Sequence, residues 1–182
     1  SRKANPFTDS VALTAMRTIY HNIRTACEDP ENRSAREAMM LAATQGGIAF
    51  SNASVTLIHG MSRPMGAMFH IPHGLSNAML LPAVTAWSVD ESQDRYAKCS
   101  RIMGMSDDAK DDKQAVDALV RELKALNRDL SVPNPAQYGI KESKWFDSLE
   151  MMAEQALVSG SPSNNPRIPS SDEIVDLYKQ VW

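Results

Sequence analysis

A chain of 182 residues, 43% hydrophobic and 23% charged, has the size of one domain and an ordinary globular composition. Its net charge of -3 offers no attraction to nucleic acid or to an anionic membrane surface. No apolar run is long enough for a transmembrane helix, and no basic start leads into an apolar stretch as in a signal peptide. Cys27 and Cys99 stand far apart in neither a metal-binding nor a redox spacing, which suits a reducing cytoplasm.

In chain order, Asn5 and Pro6 through Asp9 give a turn and an N-cap, after which Ala12, Met16, Ile19, Ile23 and Ala26 keep helical spacing to about Cys27. Glu28, Asp29 and Pro30 close this helix. Ser34 and Glu37 have the spacing of a capping box, opening a second helix to about Ser51 with Met40, Ala43 and Gly47 expected inward. Gly46 and Gly47 weaken a helix by about 1 kcal/mol each relative to alanine, so a close helix–helix approach is expected there. A third helix is expected from about Ser54 to Phe69, and a buried, apolar one from Leu75 to Val89.

Ser92 to Met103 reads as a short helix stopped by Gly104. Asp107 and Asp108 are expected to start a polar amphipathic helix whose inner stripe is Val116, Leu119, Val120, Leu123 and Leu126. Ser131 to Pro135 is a loop. Lys141 to Val158 follows as a helix with Trp145, Leu149, Met152 and Ala156 inward, and residues 159–169 are irregular. Ser170 and Glu173 form a capping box for a last helix ending at Trp182. No stretch alternates with period two for long enough to be a strand, so the fold class is all-α, a multi-helix bundle. The 11 methionines are gap fillers between helices.

The chemistry concentrates between Gly47 and Pro82, where Arg63 is the only charged side chain and three of the four histidines lie: His59, His70 and His73. Neutral imidazole in dry surroundings is a good ligand for a divalent metal. On the expected helix, His59, Arg63 and Gly66 share a face, with His70 near it if the last turn holds. Pro72 disfavours helical geometry at Ile71, so the chain turns and delivers His73 at the mouth of the next helix. Two elements then meet at a corner, each offering an imidazole. The plain alternative is a pair of hydrogen-bonded core histidines. His70 either relays a proton or caps the turn, and His21 has no visible partner.

The stretch resembles the C-terminal half of the iron-containing (group III) alcohol dehydrogenases. The likeness rests on His59-Gly60-Met61, on Pro72-His73-Gly74 and the following Asn77-to-Pro82 run, and on Asn165-Pro166-Arg167. It covers nearly the whole chain. The resemblance implies the all-α C-terminal domain of dehydroquinate synthase-like, iron-dependent dehydrogenases. His59 and His73 would be metal ligands, completed by an Asp and a His from upstream. Residues 1–182 are then expected to be one helical domain, a fragment lacking the dinucleotide-binding domain and the upstream ligand motif, inactive alone and poor in metal affinity.

For the intact enzyme the resemblance implies Fe(II) or Zn as Lewis acid, NAD(P) as hydride carrier, a small alcohol or aldehyde as substrate, a cytoplasmic location and a homodimer. Arg63 stands where many members have a histidine facing the nicotinamide. A protonated guanidinium cannot relay a proton, but it can hold a carboxylate, phosphate or carbonyl oxygen. Phe50 and Ser161 match positions lining the nicotinamide cleft. Three other readings remain open: a metal-independent maleylacetate reductase-like domain, a non-catalytic helical interaction module, and a hydrolase with a three-histidine zinc site at His59, His70 and His73.

Overall fold

Eight α-helices and two 3-10 turns carry the chain, with no β-strand: α1 (Pro6–Glu28), α2 (Arg33–Ala53), α3 (Leu57–Phe69), α4 (His73–Ser88), α5 (Gln93–Met103), α6 (Asp112–Asp129), α7 (Glu142–Val158) and α8 (Ser171–Gln180). The structure, a computed structural model, describes every residue from Ser1 to Trp182. The all-α expectation holds. No helix is long and apolar enough to cross a membrane. The helices gather into two compact units. One contains Val55–Glu91 and Ser131–Trp182 with the first two residues, and the other Lys3–Ser54 and Ser92–Leu130.

In the second of these, α1 packs along α2, and α5 bridges α1 and α6. Asn5 caps α1 by accepting from the Thr8 amide, while the Thr8 side chain answers the Asn5 amide. Two expectations for α2 are corrected. Its cap is Asn32, whose side chain accepts from the Ala35 amide, and Ser34 lies inside the helix. Asparagine caps as well as serine does, and Glu37 is taken by an ion pair with Arg33. The inward face is Ala35, Ala42, Ala49 and Ala53, leaving Ala43 exposed and Met40 71% exposed. Both stripes have helical spacing, and the alanine stripe lets α2 lie close on α1. Gly46 and Gly47 sit at no close approach, since a Cβ at either would meet nothing within 4 Å.

Gly104 ends α5 in the left-handed region at φ 78. The start of α6 is also corrected, from Asp107 to Asp112, with Asp111 as cap. Asp107 spends its carboxylate on the Ala109 amide, a local turn that competes with helix. Arg95–Asp9, Arg24–Asp129 and Arg101–Asp112 tie the helices at the surface. Cys27 and Cys99 are both free, and burial pushes the Cys99 thiol up.

The other unit holds the main core: Leu57, Met61 and Met65 of α3, Leu80 and Val84 of α4, Trp145, Leu149 and Met152 of α7, and Ile174, Leu177 and Tyr178 of α8. Trp145 meets Phe69, Tyr178 and Trp182 with ring centroids 5.6–5.8 Å apart. The buried Tyr178 hydroxyl donates to the Met61 carbonyl at 2.7 Å, fixing α8 to α3. The Ser170–Glu173 capping box forms, though α8 stops at Gln180. The Asn165-Pro166-Arg167 segment is a tie. Asn165 donates to Ser88 Oγ at 3.0 Å, and Arg167 lies 4.0 Å over the Trp87 ring while pairing with Glu173.

Candidate metal centre

Thr56 in extended geometry caps α3, which starts at Leu57, three residues beyond the expected start at Ser54. Ser54 itself has φ 64 and cannot belong to a helix. His59 therefore stands in the first turn of α3. At the far end, α3 stops at Phe69, and His70 takes the left-handed region at φ 54. Pro72, extended at ψ 137, then opens α4 with His73 as its first residue. This corner brings the two imidazoles together, with ring centroids 5.2 Å apart and planes inclined at 56°.

His59 is half-buried and His73 exposed. Burial first, then the neighbouring His73 and Arg63, hold the His59 imidazole below its ordinary pKa. Its neutral, lone-pair-bearing form is thus favoured at neutral pH, as a metal ligand requires. His73 is oriented by Asn77, one turn on. The Asn77 amide nitrogen donates to the His73 carbonyl at 3.0 Å and lies 3.1 Å from His73 Nε2. The carbonyl bond fixes that end of the amide as the donor. An N–H facing Nε2 calls for the tautomer with the lone pair on Nε2 and the proton on Nδ1. Asn77 Oδ1 is buried with no partner, an unusual cost beside a ring. Asn77 stands four residues after His73, the helical spacing that makes this contact legible in the sequence.

These two side chains fit a divalent transition metal in donor type, with two elements supplying two directions. No group of three His, Cys, Asp or Glu side chains is placed to hold an ion. This overturns the three-histidine zinc reading. The left-handed turn carries His70 off the shared face of α3, and it is exposed, its carbonyl accepting from the Tyr138 hydroxyl at 3.2 Å. It caps the corner.

Arg63, one turn after His59, donates from Nη1 to Ser161 Oγ at 3.2 Å. Ser161 is 5% exposed and opens the 3-10 turn Ser161–Asn164. That turn is held tightly, because a Cβ on Gly60 would meet Pro162 Cγ and Cδ at 2.9 Å. Gly60 thus follows His59 because the turn leaves no room for a side chain. Phe50 belongs to the other unit, on α2, and is 52% exposed.

Comparison with known proteins assigns this arrangement to a class. The chain is 32% identical over 183 residues to the 1,3-propanediol dehydrogenase of Citrobacter freundii, covering 100% of this chain and 46% of that protein. It is 32% identical to the NADPH-dependent butanol dehydrogenase of Clostridium saccharobutylicum, covering 98% of this chain and 45% of that one. A solved 1,3-propanediol oxidoreductase superimposes with a TM-score of 0.93 at 31% identity, over 99% of this chain and 46% of the other. Fold and relatives together define an all-helical domain of the kind that makes up nearly half of these dehydrogenases. More narrowly, the model of the Fe-containing alcohol dehydrogenase family, C-terminal, matches residues 1–182, and the chain belongs to that family. The chain spans a little under half the length of these relatives. Relatives named as dehydrogenases do not favour the metal-independent or the non-catalytic reading.

Proposed function

We propose that this chain is the metal-holding, substrate-side domain of an NAD(P)-dependent alcohol dehydrogenase or aldehyde reductase that acts on small alcohols. The observation that carries the reading is the convergence of His59 and His73 from two helices to a 5.2 Å ring separation, in a chain of the Fe-containing alcohol dehydrogenase family. His59 and His73 would hold the ion. When bound, a divalent metal polarises the alcohol or carbonyl oxygen while NAD(P) carries the hydride.

The chain's own part is orientation. The Asn77 side chain orients the His73 ring, and burial favours the neutral form of His59. Ser161, and Phe50 on α2, are carried as residues beside the nicotinamide. Two imidazoles make an incomplete shell, so residues 1–182 alone bind the ion weakly and show no turnover. A homodimer and a cytoplasmic location of the longer protein belong to the same proposal by family likeness.

The test is NAD(P)H oxidation with a short aldehyde. The expected result is turnover by this chain joined to a dinucleotide-binding domain of the family, abolished by His59→Ala or His73→Ala, and none by residues 1–182. Turnover surviving both substitutions would refute the assignment.

A further inference from the structure

Arg24, Arg33, Arg95, Arg101 and Arg167 each sit on a carboxylate. Arg63 does not. Its hydrogen bond goes to a neutral hydroxyl, that of Ser161, so no acid in the chain neutralises its charge there. It is exposed, on the same stripe of α3 as His59 and one helical turn away. A guanidinium has five N–H donors, and one bond to Ser161 leaves most of them available. The arm is nonetheless held. Ser161 is buried, and its amide is bound by Ser159 Oγ, whose own hydroxyl donates to Ala156 at the end of α7. Pro162 is locked against Gly60, and the Asn164 amide reaches back to the Val55 carbonyl. A long cationic side chain restrained before any ligand arrives loses less entropy when it binds one.

We propose that Arg63, steadied by Ser161, recognises an anionic group, a carboxylate or its sulfonate or phosphate counterpart, carried by the alcohol or aldehyde that reacts at the His59–His73 pair. This rests on the dehydrogenase reading and narrows its substrate class to short ω-anionic alcohols and aldehydes. Arginine suits the task because its planar fork matches an oxyanion in two bonds at once. The same chemistry could be claimed by the phosphates of the dinucleotide, and the experiment separates the two sources.

Kinetics are read on the chain joined to a dinucleotide-binding domain, with butanal and 4-oxobutanoate, an uncharged aldehyde and its carboxylate counterpart. The expected result is a kcat/KM preference for the carboxylate substrate that falls about 10- to 100-fold in Arg63→Gln. Arg63→Lys and Ser161→Ala should each retain part of it. An equal loss for both substrates, accompanied by weaker dinucleotide binding, overturns the proposal and assigns Arg63 to the cofactor. An unchanged preference overturns it as well. A second readout needs no activity: butanoate added to residues 1–182 should shift the Arg63 side-chain and Ser161 amide NMR signals, whereas 1-butanol should not. Loss of that response in Arg63→Gln supports the site even if no aldehyde is turned over, and no response to butanoate counts against the proposal.

Discussion

Alanine in place of Gly60 and alanine in place of Gly47 are the same chemical change in two helix interiors, and the structure assigns them different outcomes. Relative to glycine, alanine stabilises a helix interior by about 0.8–1.0 kcal/mol, chiefly by restricting the unfolded chain. At Gly47 nothing lies within 4 Å of the new Cβ, so that gain stands. At Gly60 the Cβ meets two Pro162 carbons at 2.9 Å, and the Ala156 carbonyl oxygen lies at 3.5 Å. A pyrrolidine ring cannot swing aside as a lysine tail can, and overpacking of this kind costs about 1–3 kcal/mol. The gap between the two variants is then about 1–3 kcal/mol, because the propensity gain cancels in the difference. For a chain of this length each kcal/mol corresponds to about 2–4 °C in Tm. Thermal unfolding followed by far-ultraviolet circular dichroism should show Gly47→Ala melting above the parent and Gly60→Ala below Gly47→Ala by several degrees. Equal increases for both would mean that the Ser161–Asn164 turn is not seated on α3 as described.

Other consequences are smaller in scope. Tyr178→Phe removes the hydroxyl that donates to the buried Met61 carbonyl and should cost about 0.5–1.5 kcal/mol by chemical denaturation, with unchanged stability refuting that bond's role. Because burial, His73 and Arg63 hold His59 below its usual pKa, the unfolded chain takes up the His59 proton first. With a chelator present, stability should rise with pH between the depressed folded value and about 6.5, then level off, and His59→Gln should flatten that rise in denaturation curves. Asn77→Ala should raise the fraction of His73 protonated on Nε2, read from nitrogen-15 shifts, and should not weaken Co(II) binding, because it removes the N–H that competes with an ion for that nitrogen.

Much of this architecture could be read from local chemistry. The Asn5 and Ser170 caps, the Gly104 stop and the Pro72 corner rest on interactions within a few residues, and each stands where the spacing puts it. The convergence of His59 and His73 was legible for the same reason, since one proline fixes the turn between their helices. Part of what failed depended on partners distant in sequence. The burial of the alanine stripe of α2, rather than Met40 and Ala43, follows from α1, and no feature of α2 alone ranks two equally spaced stripes. Two caps were misplaced because several Asp, Asn and Ser side chains compete for the same amides, at Asn32 against Ser34 and at Asp111 against Asp107. The Arg63–Ser161 bond spans 98 residues and could not be read from spacing.

The central claim is that the imidazoles of His59 and His73 form one binding site. Titrating Co(II) or Zn(II) into the chain while following the ring signals of all four histidines by NMR tests it most directly. The account predicts that His59 and His73 respond together to a single ion, that His21 and His70 stay out of the event, and that His59→Ala abolishes the response at His73. Independent responses from the two rings, or His70 moving in step with them, would contradict it.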